Sequence, residues 1–436
     1  MNGWLGIAGV VAALAAALGG GRWVSDRLGL SAELSRKWVH VAMGVICAGF
    51  PWVFAESWPV WVLAGLATLG LVVVRVVPGL RAGVGAGLHG VERWSVGELL
   101  FAPAVALVFE LADGASERYV AAILVLALAD AAGALAGTRW GKARYRSGTG
   151  WKSVEGSVVF LAVAVGCVAV PLHLGGDFAG WRLVLAAMIL GLFATAVEGA
   201  SDKGGDNLLL PLTVFFLIGK MADVAVGGLV LRFGVLVGLL GMVAGVSRMT
   251  TLGGGGLLAA ALLGYGLAVL GGTWFVVPVL MIFGIHLVTT WRRGLLGRVQ
   301  HGREPVLGVA MGTLPWAAAK PWLGADAALA GCAVGAAVML WIMQGGTRRY
   351  LGVSPTWSVW GGVQALIVAA VAVFPGTPGG MVWMLVGAGL LAGGVAGVVA
   401  LRLEELWRGS ERGLWLTRGV WVSLPAGITV ALMTWM

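Results

Sequence analysis

The chain has few charged residues and no long hydrophilic segment. Only 11% of its 436 residues are charged, whereas 59% are hydrophobic. Soluble domains carry a far larger charged fraction, so this composition excludes a soluble globular protein and a separate hydrophilic domain. Apolar runs long enough to cross a bilayer recur along the whole sequence instead. We therefore predict an all-α, polytopic helical membrane protein with about 15–16 transmembrane spans in two halves.

Cysteine is scarce as well. The three cysteines, Cys47, Cys167 and Cys332, all fall within apolar runs, so we expect no disulfide framework. The first apolar run, 5–18, has no basic residue before it. We therefore predict that it is a membrane span and not a cleaved signal peptide.

Acidic residues are fewer than basic ones, 20 against 29, which gives a net charge of +9. A strong positive charge is also a feature of nucleic-acid-binding proteins. If the N-terminus lies outside, however, most Lys and Arg residues fall in alternate links, as the positive-inside rule requires. The positive net charge is then explained without a nucleic-acid partner. It favours an integral protein of a bacterial inner membrane.

One polar stretch, 129–157, combines three features that suit a phosphate-handling site. Asp130 directly follows an apolar run, where an ionisable group is costly and indicates function. Small residues then recur at helical spacing, on a face that another backbone or a ligand can approach closely: Gly133, Gly137 and Gly141. A basic loop leads to Lys152, where a new apolar run begins with a helix N-terminus suited to an anion. The alternative is a small-residue packing helix followed by an ordinary cytoplasmic loop, and the residues alone leave both open.

Other polar positions of the first half fall at the same predicted inner face. The segment 198–207 holds four charged residues, which suits a cation or phosphate site better than a plain turn, although a solvated loop stays open. Glu98 enters an apolar run, where an unpaired carboxylate is costly. Arg36 and His40 are four positions apart and share a helical face, for which a positive-inside anchor and a packed histidine are the simpler interpretation.

The two halves differ in the placement of their charges. After Arg248 the charged residues lie almost entirely in links, and no apolar run contains Asp or Glu. We therefore predict a catalytic membrane domain at 1–247 and a second, non-catalytic membrane domain at 248–436.

Five motifs in this order, over roughly 31–215, resemble the membrane CTP-dependent alcohol kinases, the dolichol kinase and phytol kinase group. They are Arg36-Lys37 with His40, the run Arg93–Glu98, Asp130 with its Gly-x-x-x-Gly series, Lys152–Ser157, and Glu198 to Asn207 with Pro211. Ser153 stands where the family more often has threonine, which keeps the hydroxyl. The H-G-G and D-R-x-D elements of the related phosphatidate cytidylyltransferases are absent, which favours a kinase.

The resemblance implies transfer of the γ-phosphate of CTP to the primary hydroxyl of an isoprenoid alcohol of phytol or polyprenol type, at the cytoplasmic face. It implies that Mg²⁺ is held by Asp130, Glu198 and Asp206. The implied catalytic residues are Asp130, Lys152, Glu155, His40 and Glu98, with the general base left open between the last two. The implied nucleotide-binding residues are Arg36, Lys37, Gly137, Gly141, Lys142, Ser153, Gly156, Ser157, Lys203 and Asn207.

The second half is weakly similar to phytyl-phosphate kinases, in 250–264 and 299–312. The acidic motif of that family is missing, since 341–346 reads WIMQGG. This half is then expected to be a degenerate copy that serves packing, lipid shaping or a homodimer contact. Two other function classes stay open, a secondary transporter and a cytidylyltransferase. A transporter site usually draws on both halves at the midplane, whereas the polar clusters here belong to one half.

Overall fold

The computed structural model describes residues 2–29, 32–77, 97–148, 150–292 and 301–351. Arg93, Arg298 and the last three predicted spans, 356–374, 380–401 and 419–435, lie outside these ranges. The chain separates into two compact units, Met1–Gly234 and Val235–Met436. This geometric boundary precedes the predicted one at 247, and the functional division between the halves stays a prediction.

In the residues that the structure describes, the regular elements of the first unit are helices and one short hairpin. Its helices are α1 (Gly3–Leu28), α2 (Ala32–Ala48), α3 (Phe50–Val53), α4 (Trp58–Val76), α5 (Gly97–Ala112), α6 (Ser116–Leu124), α7 (Asp130–Trp140), α8 (Val154–Gly175), α9 (Gly180–Ala200) and α10 (Asp206–Met221), and α11 (Val226–Gly245) crosses the unit boundary. A π turn, Val125–Ala129, joins α6 to α7 in one continuous helical segment.

The second unit contains α12 (Gly254–Leu270), a 3₁₀ turn (Thr273–Val276), α13 (Val277–Arg292), α14 (Glu304–Leu323) and α15 (Ala325–Leu351). Across both units, 7 described helical segments are long and apolar enough to cross a membrane, by length and composition. They are Gly3–Leu28, Trp58–Val76, Ser116–Trp140, Val154–Gly175, Gly180–Ala200, Val226–Gly245 and Thr273–Trp291. The protein is therefore an all-α polytopic membrane protein, as its composition predicts.

Two predicted boundaries in the first unit are wrong in a way that matters for the site. The predicted link 21–37 is largely helical, so Arg36 and Lys37 lie within α2 and not before it. The helix that carries Asp130 also continues to Trp140, so this carboxylate lies inside a helical segment and not at its end. The predicted boundaries follow the charged residues, but Lys37 and Asp130 pair with each other in the protein interior and are therefore compatible with a helix.

The predicted basic loop after α7 is a β-hairpin. Strand β1 (Arg144–Ser147) pairs antiparallel with β2 (Gly150–Ser153). Gly148 turns the chain with a φ of +55°, a conformation that glycine adopts without strain. The side chain of Ser147 is buried and donates a hydrogen bond to the carbonyl oxygen of Gly199, with a distance of 2.7 Å. The hairpin is thereby attached to the end of α9.

Helices α7 and α8 approach closely because glycines face each other. A Cβ atom on Gly156 would lie 2.7 Å from the carbonyl oxygen of Gly133 and 3.1 Å from the Cα of Gly137. Neither contact leaves room for a side chain, so the small residues allow the two backbones to touch. This confirms that the glycine face of α7 meets another backbone, and it brings the start of α8 beside Asp130.

Candidate active site

Asp130 forms an ion pair with Lys37, with 2.6 Å between Nζ and Oδ2. Both side chains are largely buried, with exposed fractions of 9% for Lys37 and 14% for Asp130. A charge removed from water needs a partner, and each of these charges supplies the partner of the other. The pair fixes α2 against α7.

His40 lies on the same side of α2, one turn after Arg36. Its Nε2 donates to the carbonyl oxygen of Leu126, at 3.1 Å, and lies 3.6 Å from Oδ2 of Asp130. Leu126 belongs to the π turn, where the regular helical hydrogen-bond ladder is interrupted and a carbonyl is available to a side chain. The π turn therefore positions the histidine beside the carboxylate.

A second ion pair joins Lys152 of β2 to Glu198 of α9, with 2.6 Å between Nζ and Oε1. The ammonium group also donates to the backbone carbonyl of Glu198. Burial by itself lowers the pKa of Lys152, but the carboxylates of Glu198 and Asp206 outweigh it and raise the pKa above its ordinary value. Lys152 therefore keeps its positive charge at neutral pH.

The carboxylates of Asp130, Glu198 and Asp206 meet from three different helices. One ligand oxygen from each lies within 4.8 Å of the others, and all three side chains are half-buried. Three converging carboxylate oxygens are the ligands that a hard divalent cation such as Mg²⁺ prefers. The donor set therefore fits the metal site that the sequence resemblance implies.

These groups face one cavity of about 760 Å³. All but three of the predicted site residues line it: Arg36, Lys37, His40, Glu98, Asp130, Gly137, Lys152, Ser153, Gly156, Ser157, Glu198, Lys203, Asp206 and Asn207. They come from six helices, the hairpin and the link before α10, so helix packing is what brings them to one cavity. The fold therefore collects the polar clusters of the first half at one place.

Glu155, Gly141 and Lys142 are not among the residues that line this cavity. Oε1 of Glu155 accepts a hydrogen bond from the backbone N–H of Ala143, at 3.1 Å, and so holds the entrance of the hairpin against α8. Gly141 ends α7, where a Cβ would lie 2.8 Å from the Cβ of Ser153. These contacts support a positioning function for Glu155 and a packing function for Gly141.

The N-terminus of α8 is partly used by the protein itself. Ser153 is its N-cap, and its Oγ accepts a hydrogen bond from the N–H of Gly156, at 3.1 Å. One N–H group that the sequence offered to a phosphate is therefore already satisfied. The Oγ of Ser157 donates to the carbonyl of Ser153 and contacts the hydroxyl of Tyr145, at 3.1 and 2.9 Å.

Asn207 and Glu98 connect helices at the rim of the cavity. The amide nitrogen of Asn207 donates to the carbonyl oxygen of Gly97, at 2.8 Å, which joins the starts of α10 and α5. Glu98 forms an ion pair with Arg75 at the end of α4, at 3.3 Å. Both residues line the cavity, but each also has a structural contact.

Further polar residues line the cavity besides the predicted site residues. Arg144 of β1 belongs to the predicted basic loop and Asp202 to the predicted polar segment 198–207, whereas Ser147 of β1 was not selected from the sequence. Burial raises the pKa of the Tyr145 hydroxyl, so this group stays protonated at neutral pH. The signal in the sequence that would have found the hairpin is Gly148, which lies between two short segments that each combine an aromatic residue with polar ones.

Comparison with curated proteins identifies a relative. The chain is 32% identical over 192 residues to a phytol kinase of Synechocystis sp. (strain ATCC 27184 / PCC 6803 / Kazusa). The aligned region covers 43% of this chain and 79% of that protein. The chain belongs to the phytol kinase family. No protein-family model matches it, and no solved structure matches it at a significant level.

Membership in the phytol kinase family confirms the resemblance to the phytol kinase and dolichol kinase group. A kinase needs a phosphoryl donor, and the acidic cluster of Asp130, Glu198 and Asp206 fits the metal that accompanies such donors. The resemblance of the second half to phytyl-phosphate kinases stays a prediction.

Proposed function

We propose that the protein is an integral-membrane kinase that transfers the γ-phosphate of CTP to the primary hydroxyl of an isoprenoid alcohol. The observation that carries this proposal is the meeting of three carboxylates and two lysines in one cavity of about 760 Å³. Family membership supports the kinase activity and the class of alcohol. The sequence motifs support CTP as the donor.

The proposed donor site is built from opposite charges. Asp130, Glu198 and Asp206 would hold Mg²⁺, which when bound neutralises negative charge on the phosphates. Lys152 lies within the same cluster and keeps its charge, so it is placed to bind a phosphate oxygen. Arg36 and Lys203, which also line the cavity, add positive charge for the triphosphate.

The residues of this chain act mainly by position and charge. Phosphoryl transfer passes through a loose transition state that requires little covalent assistance from protein groups. A buried lysine held by a carboxylate is preorganised to meet the charge that develops there. Of the two candidate bases, His40 lies beside Asp130, whereas Glu98 pairs with Arg75. We therefore favour His40 as the group that orients the reacting hydroxyl.

The proposed location is a bacterial inner membrane with the cavity at its cytoplasmic face, where a soluble nucleotide is available. The basic residues at the cavity, among them Arg36, Arg144 and Lys203, agree with that orientation. The second unit, Val235–Met436, is proposed to be non-catalytic, because the carboxylate cluster belongs wholly to the first unit.

The test is product analysis with the full chain purified in detergent. Incubation with Mg²⁺, γ-labelled CTP and phytol should give CDP and a labelled lipid phosphate, and parallel reactions with ATP and GTP measure the donor preference. Release of pyrophosphate with phosphatidate would instead identify a cytidylyltransferase. Absence of nucleotide turnover with all alcohols tested would contradict the kinase and leave the transporter class.

A further inference from the structure

The cavity has an apolar wall in addition to its charged residues. Three helices contribute to this wall, and α2 and α4 each do so through two residues one helical turn apart. The residues are Val39 and Met43 of α2, Ala67 and Leu71 of α4, and Phe101 and Ala102 of α5. Spacing by four positions places the two side chains of a helix on the same face, so the wall extends along α2 and along α4 for one turn each.

The apolar wall begins at the reactive groups. The ring of Phe101 packs edge-on against the ring of His40, with 5.6 Å between the ring centres. His40 in turn lies 3.6 Å from Asp130. A molecule with one polar end and a hydrocarbon chain can therefore place its polar end at Asp130 while its chain contacts the wall.

Helix α4 leads from this wall to the surface that a bilayer covers. It is one of the membrane-length helices, and only 17% of its most apolar segment is buried in the part of the chain that the structure describes. Ala67 lines the cavity and is exposed. Leu66 and Leu69, on neighbouring positions, are 56% and 61% exposed. Within the described residues, the wall thus borders on a lipid-facing surface.

We propose that the isoprenoid chain of the acceptor enters the cavity sideways from the bilayer, along α4 and between α2 and α5. Ala67 and Leu71 are then specificity-determining residues that contact the chain beyond its first isoprene unit. The inference rests on the proposed function and adds the route and the selecting residues. A cytosine base is the other occupant to consider, but it needs hydrogen-bond partners, and the α4 residues on this wall offer only hydrocarbon.

The test compares matched tryptophan variants of one helix. Leu71→Trp narrows the cavity at its apolar wall. Leu69→Trp adds the same side chain at an exposed position that does not line the cavity. With phytol, Leu71→Trp should raise KM about tenfold, a typical penalty for a crowded hydrophobic pocket. With a short isoprenoid alcohol such as prenol, and for CTP, KM should stay within about twofold. Leu69→Trp should match the unaltered protein throughout.

A second measurement avoids dependence on the fold of a variant. The unaltered protein is irradiated with a diazirine-bearing isoprenoid alcohol, and the labelled peptides are identified by mass spectrometry. Labelling of α4 and α5 peptides that excess phytol suppresses supports the route. Labelling confined to other helices overturns it.

The outcomes separate the route from the function. Absence of alcohol phosphorylation by the unaltered protein overturns the proposed function and with it this inference. If the unaltered protein is an active kinase but Leu71→Trp leaves the preference among alcohols of different chain length unchanged, the proposed route is wrong and the proposed function stands. A raised KM for CTP with an unchanged alcohol profile also overturns it, because the wall would then contact the nucleotide.

Discussion

Lys37 and Asp130 are 93 positions apart in the sequence, yet Nζ and Oδ2 lie 2.6 Å from each other. The contact joins α2 to α7 at the cavity where Glu198 and Asp206 also meet. Sequence analysis selected both residues, but for different reasons, and it did not pair them. Their meeting indicates that the chemistry of this cavity depends on helix packing as much as on residue type.

The first prediction concerns Asp130. Asp130→Asn should lower kcat by at least about a hundredfold, because the amide keeps the shape but loses the charge that a divalent cation requires. Asp177→Asn is the matched control, since Asp177 is 51% exposed and pairs with Arg118 outside the cavity. Both variants are assayed for kcat and for a single gel-filtration peak. Near-normal turnover of folded Asp130→Asn would make the residue structural.

The second prediction concerns Lys152. Lys152→Ala should reduce kcat/KM by about a hundredfold or more, the size of effect expected for one preorganised electrostatic group. Lys220→Ala is the control, because Lys220 lies exposed at the far end of α10 over the ring of Phe216. Lys152→Arg, which keeps the charge, should recover part of the loss. Equal activity of the two alanine variants would remove Lys152 from the donor site.

The third prediction concerns stability. A Cβ on Gly44 would lie 2.2 Å from the Cβ of Ala127, so Gly44→Ala should force α2 away from the π turn. The expected loss is about 1–3 kcal/mol, as for other overpacked interiors. Gly9→Ala is the control, since nothing described lies within 4 Å of a Cβ there. Thermal unfolding in detergent should give a lower Tm for Gly44→Ala only. An unchanged Tm would show that the helices adjust without cost.

The fourth prediction concerns the second unit. Oγ1 of Thr251 and Nε2 of His286 are 3.2 Å apart. His286→Ala should destabilise the protein by about 1 kcal/mol through the lost hydrogen bond. If this unit is non-catalytic, kcat should remain within a few-fold of the unaltered value. A loss of kcat as large as that of Lys152→Ala, with Tm preserved, would place catalysis partly in the second unit.

The fifth prediction concerns topology. Arg146 precedes α8 and Asp177 follows it, and the 22 residues of α8 span about 33 Å, close to the thickness of a bilayer. Cysteines introduced at these two positions should react with an impermeant label from opposite sides, with Arg146 and Lys203 on the cytoplasmic side. The native Cys47, Cys167 and Cys332 are buried and should not react. Labelling of positions 146 and 177 from one side would contradict the assignment.

The sequence by itself determined the class of the protein and most of the charged residues of its cavity. The length of the apolar runs predicts membrane-spanning helices. Backbone N–H and C=O groups find no water inside a bilayer, so they must form their hydrogen bonds within the helix. Asp130 and Glu98 are recognisable because a carboxylate beside an apolar run is costly and is kept only with a partner or a function. The glycines of α7 are recognisable as a close-packing face, because small residues at helical spacing allow another backbone to approach.

Only the tertiary structure decided which of these residues meet. The pairing of Lys37 with Asp130 and of Lys152 with Glu198 depends on helix packing between distant segments, which no local pattern encodes. The same holds for Glu155, for which the family resemblance implies a catalytic role and whose carboxylate accepts a hydrogen bond from the backbone N–H of Ala143. Residue type and spacing state what a side chain is able to do. Its neighbours, which the fold supplies, decide which of those things it does.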